Sequence, residues 1–467
     1  MISSASKRNE NPADGRPLLD VDLTYFRGGL YFLGGTAAFS VQASEEKLHS
    51  AFRQMLVTMP LLRTRVVGDP EGSPVFQAIK DPDEWPKLQI LEPAGGTTTS
   101  TTWTDEEALA RVRDFKSASE AMFLQDKETQ RTSLMFAICR GKSKLYTAIV
   151  VPHLFLDGTG LGVAVFKTMV YAKLPHCVWP LLNFMWTDRS VPIFMEMALK
   201  NDYHLYRKVD GSLVKHINDP NGRLSFSDVD PSTLGGFERT VVGQHEKKNA
   251  ISQFKKAMKA QNLTISIAFM GLAIKVIGTL MRDRSFESVQ STLACDARYL
   301  GKWGDSRDRQ AIGGNYAYPL KTVISAELAR EGSWQEIALQ VQNHLKRIRD
   351  DIEYRLHYMQ YCLLDTMSKF CGYFVGVSSV VIPNSLVRYG VGLSELHIFI
   401  NFGPTPRCWF YLITVGSTTQ VAIDIMLPGV KKEEVRLVLQ DTLKNSDFEP
   451  LFNSLGVLNG SYETFHE

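Results

Sequence analysis

A chain of 467 residues is longer than one hydrophobic core usually supports, so two domains or lobes are expected, with three as the upper bound. Hydrophobic residues at 44% beside 22% charged ones supply enough apolar surface for large cores, which excludes wholesale disorder. Lys plus Arg (52) nearly balances Asp plus Glu (50), and the net charge of +2 lacks the basic excess of a general nucleic-acid binder.

Residues 1–17 are polar and are expected to fray. They lack the apolar stretch of a signal peptide. Leu30–Val41 reads as strand and turn with two glycine pairs. Ser44 before Glu45 and Glu46 is a helix start, a capping hydroxyl followed by acids at the positive end of the dipole. Leu48, Phe52, Met55 and Met59 follow at helical spacing until Pro60, and Leu61–Val67 reads as a strand. Gly95–Thr102 is a loop, and Thr104 caps the helix behind it. Arg131–Cys139 and Lys144–Val151 are apolar runs about Arg140-Gly141-Lys142-Ser143, the pattern of a hairpin.

A helical stretch, Val163–Leu174, comes next. His176–Asp230, with its tryptophans, prolines and charges, reads as a long connection. A second helical block starts near Ala250 and continues, with Thr264 as cap, through Ile267–Met281. The apolar run Ile265–Met281 is interrupted by Lys275 and reads as a buried core helix, not a membrane span. Ser288–Ala294 is a strand, Ser333–Arg355 a charged amphipathic helix, Phe374–Met426 a set of strands, and Lys431–Leu443 a last helix. The expected division is a flexible 1–17, a first lobe 18–185, a crossover linker 186–246 and a second lobe 247–467.

Chemistry concentrates in His153-Leu-Phe-Leu-Asp157-Gly158. An apolar strand delivers His153 to its tip, and an imidazole with pKa near ~6.5 suits a general base at neutrality. Asp157 followed by glycine turns away to hold the bend, pairing with a cation from elsewhere in the chain. The competing reading is a buried, hydrogen-bonded histidine at a strand end. Gly158-Thr-Gly160-Leu-Gly162 imitates a dinucleotide loop, but its third glycine is misplaced. GxSxG and HExxH are absent, and Cys139, Cys177, Cys295, Cys362, Cys371 and Cys408 form no CxxC, so neither a serine hydrolase nor a zinc enzyme is expected and no metal is assigned. Scattered thiols fit a reducing compartment, hence a cytoplasmic, soluble protein.

The chain resembles the chloramphenicol-acetyltransferase-like superfamily, which includes BAHD-type and alcohol acyltransferases, polyketide-associated acyltransferases and condensation domains. The likeness runs over nearly the whole chain. Pro60-Leu61-Leu62-Arg63 is similar to the P-x-L-R that follows the first helix, and Met122–Arg131 to the segment before the motif hairpin. His153, Asp157 and Gly158 match HxxxDG. Condensation domains usually carry a second histidine just before it; here Pro152 stands there, which favours the BAHD-like and acetyltransferase-like branches. Asp296-Ala-Arg298 resembles D-x-R, Gly314-Asn315 the GN pair, and Ser378-Ser379 a serine-bearing strand. Arg388-Tyr389-Gly390-Val391-Gly392 occupies the place of DFGWG without its acid and tryptophan; Asn401-Phe402-Gly403 is an alternative fit that comes late.

This resemblance implies an α/β (α+β type) fold of two chloramphenicol-acetyltransferase-like lobes, each a mixed sheet flanked by helices, with a tunnel at their interface. It implies an acyltransferase, O- ahead of N-, acting on a small-molecule acceptor of secondary metabolism. His153 would be the base, with Asp157, Gly158 and Arg298 supporting it. Ser378 or Ser379 would meet the oxyanion, and Asn315, Tyr389, Gly390 and Gly392 would line substrate or tunnel. No permanently bound cofactor is implied; acyl-CoA, or a phosphopantetheine arm on an acyl carrier protein, is the co-substrate, and the protein is expected to be a monomer. A carrier-dependent condensation or polyketide-releasing enzyme and a catalytically inactive tunnel-binding relative are the alternatives. Lys302, Arg307 and Arg309 would hold the donor's phosphates or form a solvated loop. Trp179–Trp186 would line the acceptor side or cover the lobe interface.

Overall fold

The computed structural model describes residues 14–18, 32–69, 72–92, 103–125, 134–187, 249–283, 285–296, 298, 313–350, 374–401, 407–416, 418–427, 429–444 and 446–454. The chain divides into two compact units, each built from more than one stretch. The first takes 1–196, 297–316 and 381–403; the second takes 197–296, 317–380 and 404–467. Each holds a five-stranded mixed sheet with helices, an α/β architecture.

In the first unit the strand order is β10 (Leu393–Asn401), β1 (Phe32–Phe39), β6 (Leu145–Pro152), β5 (Met135–Arg140) and β4 (Leu88–Leu91). The β4–β5 pair is parallel; β1 runs antiparallel to β6 and β10, and β5 to β6. Both β1 and β6 are buried along their whole length, because helices cover both faces. Phe123, on the helix α2 (Asp105–Gln125), packs with Phe32 and Val150 on one face. On the other face Phe166 of α3 (Gly158–Lys173) meets Phe39 edge-on. The Gly34–Gly35 pair answers to this double cover: a Cβ on Gly34 would lie 2.1 Å from Glu120 Oε1, and one on Gly35 3.0 Å from Leu161.

The caps expected from the sequence are present. Ser44 Oγ accepts from Lys47 N at the head of α1 (Glu45–Thr58), and Thr104 forms a reciprocal box with Glu107. The predicted hairpin forms as β5 and β6. Three local expectations need correction. Leu61–Val67 begins as a 3₁₀ turn, Pro60–Arg63, because Pro60 fixes φ and Thr64 Oγ1 bonds Leu61 O; the strand is only Thr64–Val67 (β2), paired with Val75–Ala78 (β3). The helix expected from Val163 starts five residues earlier, at Gly158, because Asp157 caps it. The start of the supposed connection is helical: α4 (Trp179–Trp186) packs Trp179 and Trp186 edge-on against Tyr171, and Lys167 Nζ donates to Trp186 O. Most of the expected linker, residues 188–246, and the loop 95–102 lie outside the described residues.

The second unit begins with α5 (Asn249–Ala260) and α6 (Ile265–Leu280), the latter capped by Thr264 as expected. Its strand order is β12 (Thr418–Met426), β11 (Arg407–Val415), β9 (Phe374–Ile382), β7 (Ser288–Asp296) and β8 (Ala317–Ser325). The short α7 (Ala326–Glu331) precedes α8 (Trp334–Asp350). A one-turn helix α9 (Asn384–Val387), which belongs to the first unit, leads toward β10, while α10 (Lys432–Leu443) and α11 (Glu449–Ser454) close the described chain. Phe254, Phe269, Phe410, Phe448, Phe452 and Trp334 form the aromatic centre of this core. Among the described residues no single helix is long and apolar enough to cross a membrane.

Candidate active site

The site grows from the junction between β6 and α3. Pro152 ends β6, and its carbonyl accepts from Phe155 N at 2.9 Å, which turns the chain at His153. Four residues on, Asp157 opens α3 as its N-cap, with Oδ1 accepting from Gly160 N at 2.6 Å. Arg298 reaches this carboxylate with Nη1 at 2.8 Å from Oδ2 and Nη2 at 3.1 Å from Oδ1. Tyr316 N donates to Oδ2 at 2.8 Å. Asp157 thus accepts from Gly160, Tyr316 and both prongs of Arg298, which fills the acceptor sites of a carboxylate.

Gly314 completes the lock. Its φ of +99° is one that side-chain-bearing residues rarely adopt. Its carbonyl accepts from Arg298 Nη2 at 3.0 Å and Asp157 N at 3.3 Å. The next residue, Asn315, donates from Nδ2 to His153 O at 2.8 Å. The Arg298 guanidinium also lies over the Tyr316 ring, 4.6 Å from its centre. A buried ion pair is costly unless its hydrogen bonds are satisfied, and here they are.

His153 is itself buried. Burial pushes its imidazole below the ordinary 6.5; its own backbone and the negative charge of Asp157 pull weakly the other way. The imidazole is therefore neutral at pH 7 and has a lone pair to accept a proton. Among the described residues no three His, Cys, Asp or Glu side chains gather as metal ligands would.

The fold has known counterparts. The first condensation domain of the calcium-dependent antibiotic synthetase, in complex with a substrate analogue, superposes with a TM-score of 0.61 at 15% identity, covering 97% of this chain and 98% of its own. The trichothecene 15-O-acetyltransferase of Fusarium sporotrichioides gives 0.61 at 12% identity and 94% of both chains. The starter condensation domain of rhizomide synthetase, in complex with C8-CoA, gives 0.60 at 11%, over 97% and 98%. This is the condensation and acetyltransferase fold. No family model and no curated protein matches the sequence.

Within that fold the remaining sequence-predicted residues fall in different places. His153, Asp157, Gly158, Arg298 and Asn315 come together. Tyr389, Gly390 and Gly392 do not join them. Lys173 Nζ, at the far end of α3, donates to the carbonyls of Tyr389 and Gly390. That helix of 16 residues spans about 24 Å, so the Tyr389 turn sits a helix length from Asp157. Gly390 and Gly392 have φ of +62° and +65°, and Gly392 O accepts from Ser40 N, which starts β10 in register beside β1. Their glycine pattern therefore answers to backbone geometry. Ser378 and Ser379 lie on β9 in the second unit, where Ser378 is buried and accepts from Trp409 Nε1 at 2.9 Å. Lys302, Arg307 and Arg309 lie outside the described residues. Sequence reasoning missed Tyr316, which acts through its backbone N–H and so leaves no motif.

Proposed function

We propose that this protein is an acyltransferase that moves an acyl group from acyl-coenzyme A to a hydroxyl, or an amine, of a small-molecule acceptor. The observation that carries this reading is the neutral, buried imidazole of His153, set on a turn locked by the Asp157–Arg298 pair. Asp157 spends its acceptor sites on that lock, so His153 is the base of the pair.

In the proposed step His153 takes the acceptor's proton as the acceptor's oxygen attacks the thioester carbonyl. The carbonyl electron pair moves onto oxygen, giving a tetrahedral oxyanion. When that pair returns, the carbon–sulfur bond breaks and the thiolate collects the proton from the imidazolium. Asp157 does not touch the imidazole's proton, but its charge favours the imidazolium that forms transiently. Asn315 fixes the His153 carbonyl and so the backbone from which the ring projects.

The second reading, a carrier-protein-fed condensation or product-releasing enzyme, uses the same chemistry. Pro152, in place of a second histidine, supports the free-thioester form. The test is release of free thiol from acyl-CoA with a panel of alcohols and amines, run in parallel with acyl carrier protein donors. His153→Ala should abolish turnover while the melting curve stays that of a folded protein. Turnover persisting in His153→Ala would remove the base from the reading; release only from carrier-bound donors would transfer it to the second form.

A further inference from the structure

Two arginines of the first unit share one aromatic ring. Arg53 stands on the exposed side of α1, and Arg63 ends the 3₁₀ turn that follows that helix. The guanidinium carbon of Arg63 lies 4.8 Å from the centre of the Trp85 ring, and that of Arg53 lies 5.8 Å from it. The ring itself is fixed. Trp85 Nε1 donates to Ile79 O at 2.8 Å, and Ile79 N donates to Arg63 O at 2.8 Å. Indole and Arg63 backbone are therefore tied together through a single residue.

Neither cation is neutralised. Among the described residues no carboxylate lies within ion-pair distance of Arg53 or Arg63, and neither guanidinium makes a hydrogen bond. The acids nearest Trp85 in sequence, Asp81, Asp83 and Glu84, are exposed, and Asp81 caps its own turn by accepting from Asp83 N at 2.9 Å. Arg63 is half-buried, and its Nε is shut off from solvent without an acceptor. Burial pushes this guanidinium below its usual range, and no negative charge pulls it back. A buried donor of this kind costs free energy until an acceptor arrives. Two unneutralised cations on one ring also repel each other and attract an anion. Guanidinium forks match the oxygens of a phosphate group. A phosphomonoester carries close to two negative charges near neutrality, which balances two arginines; a carboxylate balances one.

We propose that Arg53 and Arg63 form a binding site for the phosphate group of a small molecule, with Trp85 as the platform that holds both guanidiniums. The site is built within the first unit, from α1, the Pro60–Arg63 turn and the segment that carries Trp85. It uses none of the residues placed around His153 and does not depend on the acyl-transfer reading.

The test is calorimetric titration of the full chain, at fixed ionic strength, with inorganic phosphate, adenosine monophosphate and acetate. The wild type should bind phosphate saturably and acetate far more weakly. Arg53→Gln alters an exposed side chain, so it should fold normally and weaken phosphate about tenfold or more, the effect of losing a charge-assisted hydrogen bond. Arg63→Lys keeps the charge but loses the fork, and should weaken phosphate as well. Arg65→Gln removes an equal charge from a neighbouring exposed position, where Arg65 Nε donates to Gln77 Oε1, and should leave the affinity unchanged. Tighter binding of adenosine monophosphate than of phosphate identifies an organic phosphomonoester as the ligand; equal or weaker binding identifies the free ion. No saturable phosphate binding by the wild type, acetate binding as tight as phosphate, or the same loss in Arg65→Gln as in Arg53→Gln would overturn the proposal. Unchanged phosphate affinity in Arg53→Gln overturns it alone, whether or not Arg63→Lys folds.

Discussion

Arg298 and Asp157, 141 residues apart in the chain, meet in a two-pronged ion pair at 2.8 and 3.1 Å, with side chains only 2% and 5% exposed. The arginine comes from the segment after β7, and the carboxylate caps α3. The pair therefore ties a long-range contact to the turn that carries His153. Arg298→Ala leaves a buried carboxylate without its cation and should cost about 3–5 kcal/mol. Arg298→Lys keeps the charge but cannot reproduce the fork to Asp157 together with the bond to Gly314 O, so it should recover only part of that loss. Chemical denaturation of the three proteins checks the order wild type, Arg298→Lys, Arg298→Ala.

The local half of this arrangement was legible in the sequence. An apolar run ending at His153, then an acid and glycine, is a strand, a turn and a helix cap, each set by residues within a few positions. The partner was legible only through resemblance: nothing in the spacing of Arg298 requires it to reach Asp157. Tyr316 N and Gly314 O were not legible, because backbone groups leave no letter in the sequence. The start of α3 was misplaced because three glycines in its first turns read as a loop; tertiary packing against Gly314 overrides their weak helical propensity. Tyr389, Gly390 and Gly392 show a related limit of pattern reading, since a glycine pattern looks alike whether a ligand or a neighbouring strand demands it.

His153 gives a pH dependence whose sign follows from burial. Its folded pKa lies below 6.5, so turnover should hold through neutrality and fall only as pH drops through that depressed value. Stability moves in the same direction. Below pH 6.5 the unfolded chain's His153 takes up a proton that the folded chain refuses, so stability declines as pH falls from 6.5 to the folded value. Equilibrium denaturation between pH 5 and 7 should therefore show a shallower acid-side decline in His153→Gln than in the wild type. Parallel declines would mean that this imidazole is not held neutral by burial.

Two glycines of α3 should respond differently to a methyl group. A Cβ on Gly160 would stand 2.7 Å from Gly314 O, a backbone atom already tied to Arg298 and Asp157. A Cβ on Gly162 would meet Ile382 Cδ1 at 2.1 Å, the far end of a side chain that can rotate. Gly160→Ala should destabilise by about 1–3 kcal/mol and reduce turnover, because relief requires moving the lock itself. Gly162→Ala should cost clearly less and leave turnover near the wild-type level. Thermal melting and steady-state rates on both variants check this; equal effects would contradict the rigidity assigned to the Gly314 carbonyl.

Asn315 separates positioning from simple support. Its Nδ2 donates to His153 O at 2.8 Å, linking the residue before Tyr316 directly to the base's own backbone. Asn315→Ala removes one hydrogen bond and should lower stability by about 0.5–1.5 kcal/mol. Asn315→Asp is nearly isosteric, yet at neutral pH it replaces a donor with an anion facing a carbonyl oxygen. That substitution repels where the native amide attracts, so it should lose more turnover than the alanine variant despite its closer shape. Lowering the pH enough to protonate the introduced acid restores a donor and should narrow the gap between the two variants, with the comparison kept above the pH at which His153 itself is titrated. Rates of both variants across that window, each normalised to the wild type, give the answer. An aspartate variant as active as alanine at every pH would mean that the His153 carbonyl does not need this bond for the ring to work.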